Sequence, residues 1–104
     1  MELILKKIKR LVIQGKYIFT HKATAERINS GLTQEDIVES ILNADHVRLK
    51  KSTSQARHIR NEKICTIEGF TYDGILIYTK GVIRKIDNED EFYIMISSKR
   101  SVYH

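Results

Sequence analysis

The apolar pattern of this chain changes period once, and that change limits the folds open to it. Up to Asn43 apolar residues recur at spacings of three and four, and beyond it they alternate. In residues 3–14, Ile4, Ile8 and Leu11 make a helical stripe with Leu5 and Val12 alongside. Lys6, Lys7, Lys9 and Arg10 occupy much of the rest, and Gly15 is placed to end the helix. A second helix is predicted over 21–30, after Thr20 as N-cap and before Gly31. A third is predicted over 34–43, where Thr33 and Asp36 have the spacing of a capping box: the hydroxyl serves an orphan N–H and the carboxylate reaches back. Ile37, Val38, Ile41 and Leu42 then form its apolar stripe.

Past Asn43, Val47 and Leu49 alternate with Arg48 and Lys50 in a short strand pattern. Three longer runs follow, "KICTIEGF", "ILIYTKGVIRKI" and "EFYIMISS", separated by "TYDG" (71–74) and "DNED" (87–90), both of hairpin composition. Helices first and strands after predict a single α+β domain over 1–104, its N-terminal helices packed on one face of a twisted antiparallel sheet. Part of the other face is left for solvent or a ligand. On the middle strand Ile75, Ile77 and Ile83 share one side, while Tyr78, Lys80 and Arg84 share the other. Gly81 is where a bulge would break that phase.

The stretch between the helices and the long strands, "VRLKKSTSQARHIRN" (47–61), carries Arg48, Lys50, Lys51, Arg57 and Arg60 and no acid. The whole chain has 18 basic and 13 acidic residues, a formal charge of +5. Like charges at close range repel, and a polyanion relieves that repulsion. A basic balance suits nucleic acid, an acidic protein or an anionic membrane. Arg48, Lys50, Arg57 and Arg60 are expected to hold a nucleic-acid backbone, with Lys80 beside them on the strand face.

Other chemistries find little support. His21, His46, His58 and His104 lack ligand-like spacing and Cys65 is the single cysteine, so neither a metal nor another cofactor is expected. The five glycines are scattered and make no phosphate loop, and no nucleophile elbow stands out. Asp87, Glu89, Asp90 and Glu91 read as a solvated turn. A lone cysteine between Ile64 and Ile67 reads as a buried thiol in a reducing compartment, the cytoplasm. The N-terminal segment is broken by lysines and reads as mature structure, and no run approaches the ~20 apolar residues of a membrane span.

A cationic face needs no metal to cut RNA, because RNA carries its own nucleophile, the 2′-OH. Cleavage requires a base for that hydroxyl, positive charge beside the phosphate oxygens and an acid for the leaving 5′ oxygen. Lys and Arg supply the electrostatic part, and a lysine among other cations can also exchange protons.

The segment "KKIKRLVIQGKYIFTHKATAERINSGLTQEDIVESILNADHVRLKKSTS" resembles the first half of the MqsR family, RelE-like mRNA interferase toxins of the barnase/EndoU/colicin/RelE fold. The matching features are Lys9 to Gly15, Thr20, Ala23, Gly31-Leu32 and a Lys-Ser-x-[ST] segment at Lys51 to Ser54. The stretch "HKATAERINSGLTQEDIVESIL" is also similar to a related uncharacterised DUF-type family with a His-Ala…Arg…Gly-Ile-Ser opening, although Gly31 lies one residue later than that pattern has it. The resemblance implies a RelE-like fold and the toxin of a type II toxin–antitoxin pair, a metal-independent endoribonuclease acting on mRNA. It also implies a small antitoxin partner, of zinc-finger type in these families. By motif, Lys51 matches the catalytic lysine, and Lys99 matches the lysine that closes the last strand. The family's middle-strand tyrosine falls at or near Ile83, so Arg84 and Tyr78 are the residues expected to substitute. Lys51, Arg84, Lys99 and Tyr78 are thus the candidate catalytic residues, expected to converge on one phosphate. The alternative is a non-catalytic module on the same fold that binds RNA or the antitoxin.

Overall fold

The computed structural model describes residues 2–51, 62–88 and 90–101. The amphipathic stripe at the N-terminus becomes α1 (Leu3–Ile13), which buries Leu5, Ile8, Leu11 and Val12. Its cationic side is tied down at two points: Lys7 Nζ lies 2.8 Å from a Glu91 carboxylate oxygen, and Lys9 Nζ donates to the Ala44 carbonyl at 2.7 Å. A three-residue strand, β1 (Tyr17–Phe19), separates α1 from α2 (His21–Asn29). Thr20 serves both elements. Its N–H donates to the Met95 carbonyl at 3.0 Å, and its hydroxyl oxygen accepts from Ala23 N–H at 3.1 Å as the α2 N-cap. The third helix, α3 (Gln34–Asn43), starts in the capping box expected of Thr33 and Asp36, with both reciprocal bonds formed.

Four strands follow: β2 (Arg48–Lys51), β3 (Lys63–Phe70), β4 (Leu76–Ile86) and β5 (Asp90–Arg100). The sheet order is β1-β5-β4-β3-β2. The strands from β2 to β5 are antiparallel neighbours, as the hairpin spacing predicts. β1, which the sequence reading did not separate from its surroundings, adds a parallel edge against Tyr93–Met95. The turn between β4 and β5 places Asp87 and Asn88 at φ 56° and 61°, the left-handed pair of a tight hairpin that Asp and Asn tolerate best.

One face of the sheet meets the helices. Cys65 and Ile67 of β3, Ile77 of β4, and Tyr93 and Met95 of β5 join the buried residues of α1 and α3 in the core. Two glycines make this packing possible. A Cβ on Gly69 would lie 1.9 Å from the Ser40 carbonyl oxygen, so α3 rests directly on the β3 backbone. A Cβ on Gly81 would lie 2.6 Å from Cζ of Tyr93, whose ring passes beneath that strand.

The pairing of β4 with β5 slips once. Lys80 faces Ser97 but Gly81 faces Met95, which leaves Ile96 as an extra residue on β5. The phase break suspected at Gly81 is real, but the bulge is in the opposing strand, and β4 keeps its alternation. On β5 the side chains change face. Before the bulge Tyr93 and Met95 point to the helices, and after it Ser98 does so, donating its hydroxyl to the Ala23 carbonyl at 2.9 Å. The outer edge of β5, past the end of β1, is sealed by α2: Glu26 accepts from the Ser97 hydroxyl at 2.6 Å and from Ser98 N–H at 3.1 Å.

Candidate nucleic-acid interface

The register decides which of the sequence-nominated residues meet. On the sheet face away from α1 and α3, Arg48, Thr66, Lys80 and Ser97 form one row across four strands. The next row holds Glu68, Tyr78 and Lys99. Adjacent strands are about 4.8 Å apart, and alternate residues along a strand about 6.7 Å, so the two rows occupy a patch of roughly 14 by 7 Å. Three cations, Arg48, Lys80 and Lys99, therefore surround a tyrosine and one carboxylate. Lys99 Nζ stands 5.8 Å from the Tyr78 ring centroid, within cation–π range. Arg48 Nη1 is 3.8 Å from a Glu68 carboxylate oxygen, and the Ser101 hydroxyl donates to that carboxylate. Lys50 continues the cationic edge on the same side of β2 as Arg48.

Lys99 reaches this patch only because of the bulge. Were Ile96 paired into a regular strand, Lys99 would share a face with Tyr93 and Met95, under the helices.

Two of the four nominated catalytic residues lie elsewhere, and the expected convergence on a single phosphate is corrected accordingly. Arg84 is on the right face but six residues from Tyr78 along β4, about 20 Å away, too far to share an anion with Lys99. It is also engaged: Nε and Nη2 donate to the two Glu62 carboxylate oxygens at 2.8 and 3.0 Å. Those hydrogen bonds raise the Arg84 pKa against the opposing effect of burial, so the guanidinium is both fixed and neutralised. Lys51 pairs with Lys63, in phase with Leu49 and Cys65, and so belongs to the opposite side of the sheet from Tyr78 and Lys99. Ile83, at or near which the resemblance would place a tyrosine, packs against the core in register with Tyr93. Arg57 and Arg60 lie outside the described residues.

Sequence reasoning did not nominate Glu68. Its signal was present in "KICTIEGF", where Glu68 alternates with the inward Ile67 and Gly69 and so falls in phase with Thr66. His46 was weighed only as a metal ligand. It is exposed and lines the same groove as Arg48 and Glu68, a recess of about 490 Å³ between the α3–β2 connection and β3.

Three further titratable groups have structural settings. The Asp90 and Glu91 side chains near the last hairpin face Lys16 and Lys7 at 3.8 and 2.8 Å. Burial pushes the Cys65 thiol up to about 11, well away from a reactive thiolate. Among the described residues no cluster of three His, Cys, Asp or Glu side chains could hold a metal ion, and no helix is long and apolar enough to cross a membrane.

Comparison of the chain with protein-family models, with curated proteins and with solved structures gives no match.

Proposed function

We propose that this protein is a metal-independent RNA endonuclease, the toxin of a toxin–antitoxin pair, whose site is the Arg48–Lys80–Lys99 patch around Tyr78 and Glu68. The observation that carries the reading is the assembly of three cations, an aromatic ring and one carboxylate in two neighbouring rows of a sheet face. Each member has a task in cleaving RNA at its own 2′-OH. Glu68 takes the proton of the attacking hydroxyl. Arg48, Lys80 and Lys99 balance the charge that grows on the phosphate oxygens as the 2′ oxygen bonds to phosphorus. Tyr78 stacks on a base or orients the 2′-OH. His46, across the groove from Glu68, delivers a proton to the departing 5′ oxygen. The products are a 2′,3′-cyclic phosphate and a free 5′ hydroxyl. The MqsR-like N-terminal segment adds the biological setting, a small antitoxin that masks this face.

The test is incubation of single-stranded RNA with the purified chain in excess chelator. Cyclic-phosphate-ended fragments are expected, Lys99→Ala and Glu68→Gln should abolish them, and Lys51→Ala and Arg84→Ala should leave them in place. RNA that stays intact under all conditions would refute the enzyme reading. A second reading has its own support in the packing of the partly buried Ile83 against the core, at or near where the resemblance implies a tyrosine: a module that binds RNA without cutting it. It predicts affinity for RNA that Lys99→Ala weakens, with no product.

A further inference from the structure

The recess beside Glu68 is larger than the chemistry of one phosphate requires. We infer that it holds the unpaired base next to the scissile phosphate, stacked on Phe70 and read along its edge by Asp45 and the Glu68 backbone. The inference rests on the RNA reading above and adds to it a base-selective subsite.

Three features build the recess. Strand pairing between β2 and β3 ends at Arg48 and Thr66, and before Arg48 the chain leaves β3 to run through Asn43, Asp45 and His46, which form the far wall. Gly69 keeps that wall close, since a Cβ there would lie 3.2 Å from Ala44 Cβ as well as against Ser40. The β3 edge is therefore a floor of backbone with no strand beside it at Glu68. The Phe70 carbonyl faces this edge, because it accepts from Asn43 Nδ2 at 2.9 Å. In an antiparallel strand the N–H and C=O of alternate residues point the same way. The Glu68 N–H and C=O consequently turn toward the recess, one donor and one acceptor on neighbouring atoms.

The side chains complete the fit. Phe70 is 55% exposed although it is a large apolar residue at the end of a strand, and it lines the recess. An exposed aromatic face beside a cationic row is the arrangement on which proteins stack single-stranded bases. Asp45 is exposed in the opposite wall and offers only acceptors when ionised. The recess thus presents a ring to lie on, a backbone donor–acceptor pair and a carboxylate, and it opens onto Arg48 and Glu68. A base held there would set its own phosphate against the cationic row, so the same contacts that choose the base would position the bond to be cut.

The experiment is a titration of the isotopically labelled protein with each of the four nucleoside 3′-monophosphates, followed by backbone amide chemical shifts. Shifts centred on Ala44, His46, Gly69 and Phe70 are expected, with unequal affinities among the four bases. Phe70→Ala should weaken binding about tenfold, the size of one lost base–aromatic stack. Phe70→Leu, which keeps apolar bulk without an aromatic face, should weaken it similarly, which separates stacking from mere filling. Asp45→Asn, by replacing one acceptor with a donor, should reorder the four affinities. Shifts confined to other regions, wild-type affinity in either Phe70 variant or an unchanged ranking would overturn the inference. Nucleotide binding in the recess without RNA cleavage would sink the endonuclease and spare the subsite. Cleavage with no base preference and no shifts in the recess would do the reverse.

Discussion

If Arg48, Lys50, Lys80 and Lys99 grip RNA from one sheet face, the number of cations fixes how salt weakens the grip. Each phosphate neutralised releases counterions, and for single strands log K falls against log salt with a slope of about −0.7 per contact. Four contacts give roughly −2.8, so raising salt from about 50 to 200 mM should cost about 50-fold in affinity. Lys99→Ala should bring the slope to roughly −2.1 and the loss to about 18-fold. Arg84→Ala should leave the slope as it is, because Glu62 already holds both of its donating nitrogens at 2.8 and 3.0 Å. Fluorescence anisotropy with a short labelled 2′-O-methyl RNA measures this directly, since blocking the 2′-OH prevents cleavage during the titration. A slope near zero, or Arg84→Ala flattening it as much as Lys99→Ala, would refute the placement of charge argued above.

Gly69→Ala should destabilise the fold by about 3 kcal/mol, the upper range for overpacking, because the new methyl meets the Ser40 carbonyl at 1.9 Å rather than a yielding side chain; urea unfolding with a normal midpoint would contradict it. Glu26 supplies a pH dependence. Burial raises its pKa, but hydrogen bonds from Ser97 and Ser98 and the nearby Lys22 outweigh that and hold it below the ordinary value of 4.5. A depressed carboxylate stabilises the fold above its unfolded pKa, and that contribution is lost as pH falls from about 4.5 through the folded value. Glu26→Gln should therefore lose less stability than wild type over that descent, and parallel unfolding curves would disprove the assignment. The Cys65 thiol, 1% exposed and raised to about 11 by burial, should react with a thiol reagent only as fast as the protein opens; rapid labelling of the native chain would show otherwise.

Much of the fold was legible from local signals. The capping box at Thr33 and Asp36, the apolar stripes and the two hairpin connections each act over a few residues, and each element they announce is present. β1 was not legible because Tyr17–Phe19 is three residues long and its partner is more than seventy positions away; nothing in its own composition requires pairing. Parity along β4 correctly grouped Tyr78, Lys80 and Arg84 on one face, but sharing a face does not mean sharing a site, and six residues of extended chain separate the first from the last. Lys51 was misplaced for a related reason. It follows Lys50 directly, and in a strand successive residues face opposite ways. Glu68 was overlooked because the search followed positive charge, and the carboxylate that gives the cations something to organise around lay in the neighbouring strand.

The insertion at Ile96 also governs how this protein can vary. Exchanging Ile96 for another residue leaves the count between Met95 and Ser98 intact, so Lys99 stays beside Tyr78 and Arg100 stays turned toward Ser30. Deleting it would also leave both in place, because Met95 and Ser97 already face the consecutive residues Gly81 and Lys80; pairing Ile96 into the ladder would instead invert them, driving a lysine among the helices and an arginine out to the opposite side. Relatives of this chain can thus lose that position as well as vary what occupies it, and a one-residue gap there would mark a last strand without the slip but with the same outward row of Ser97 and Lys99.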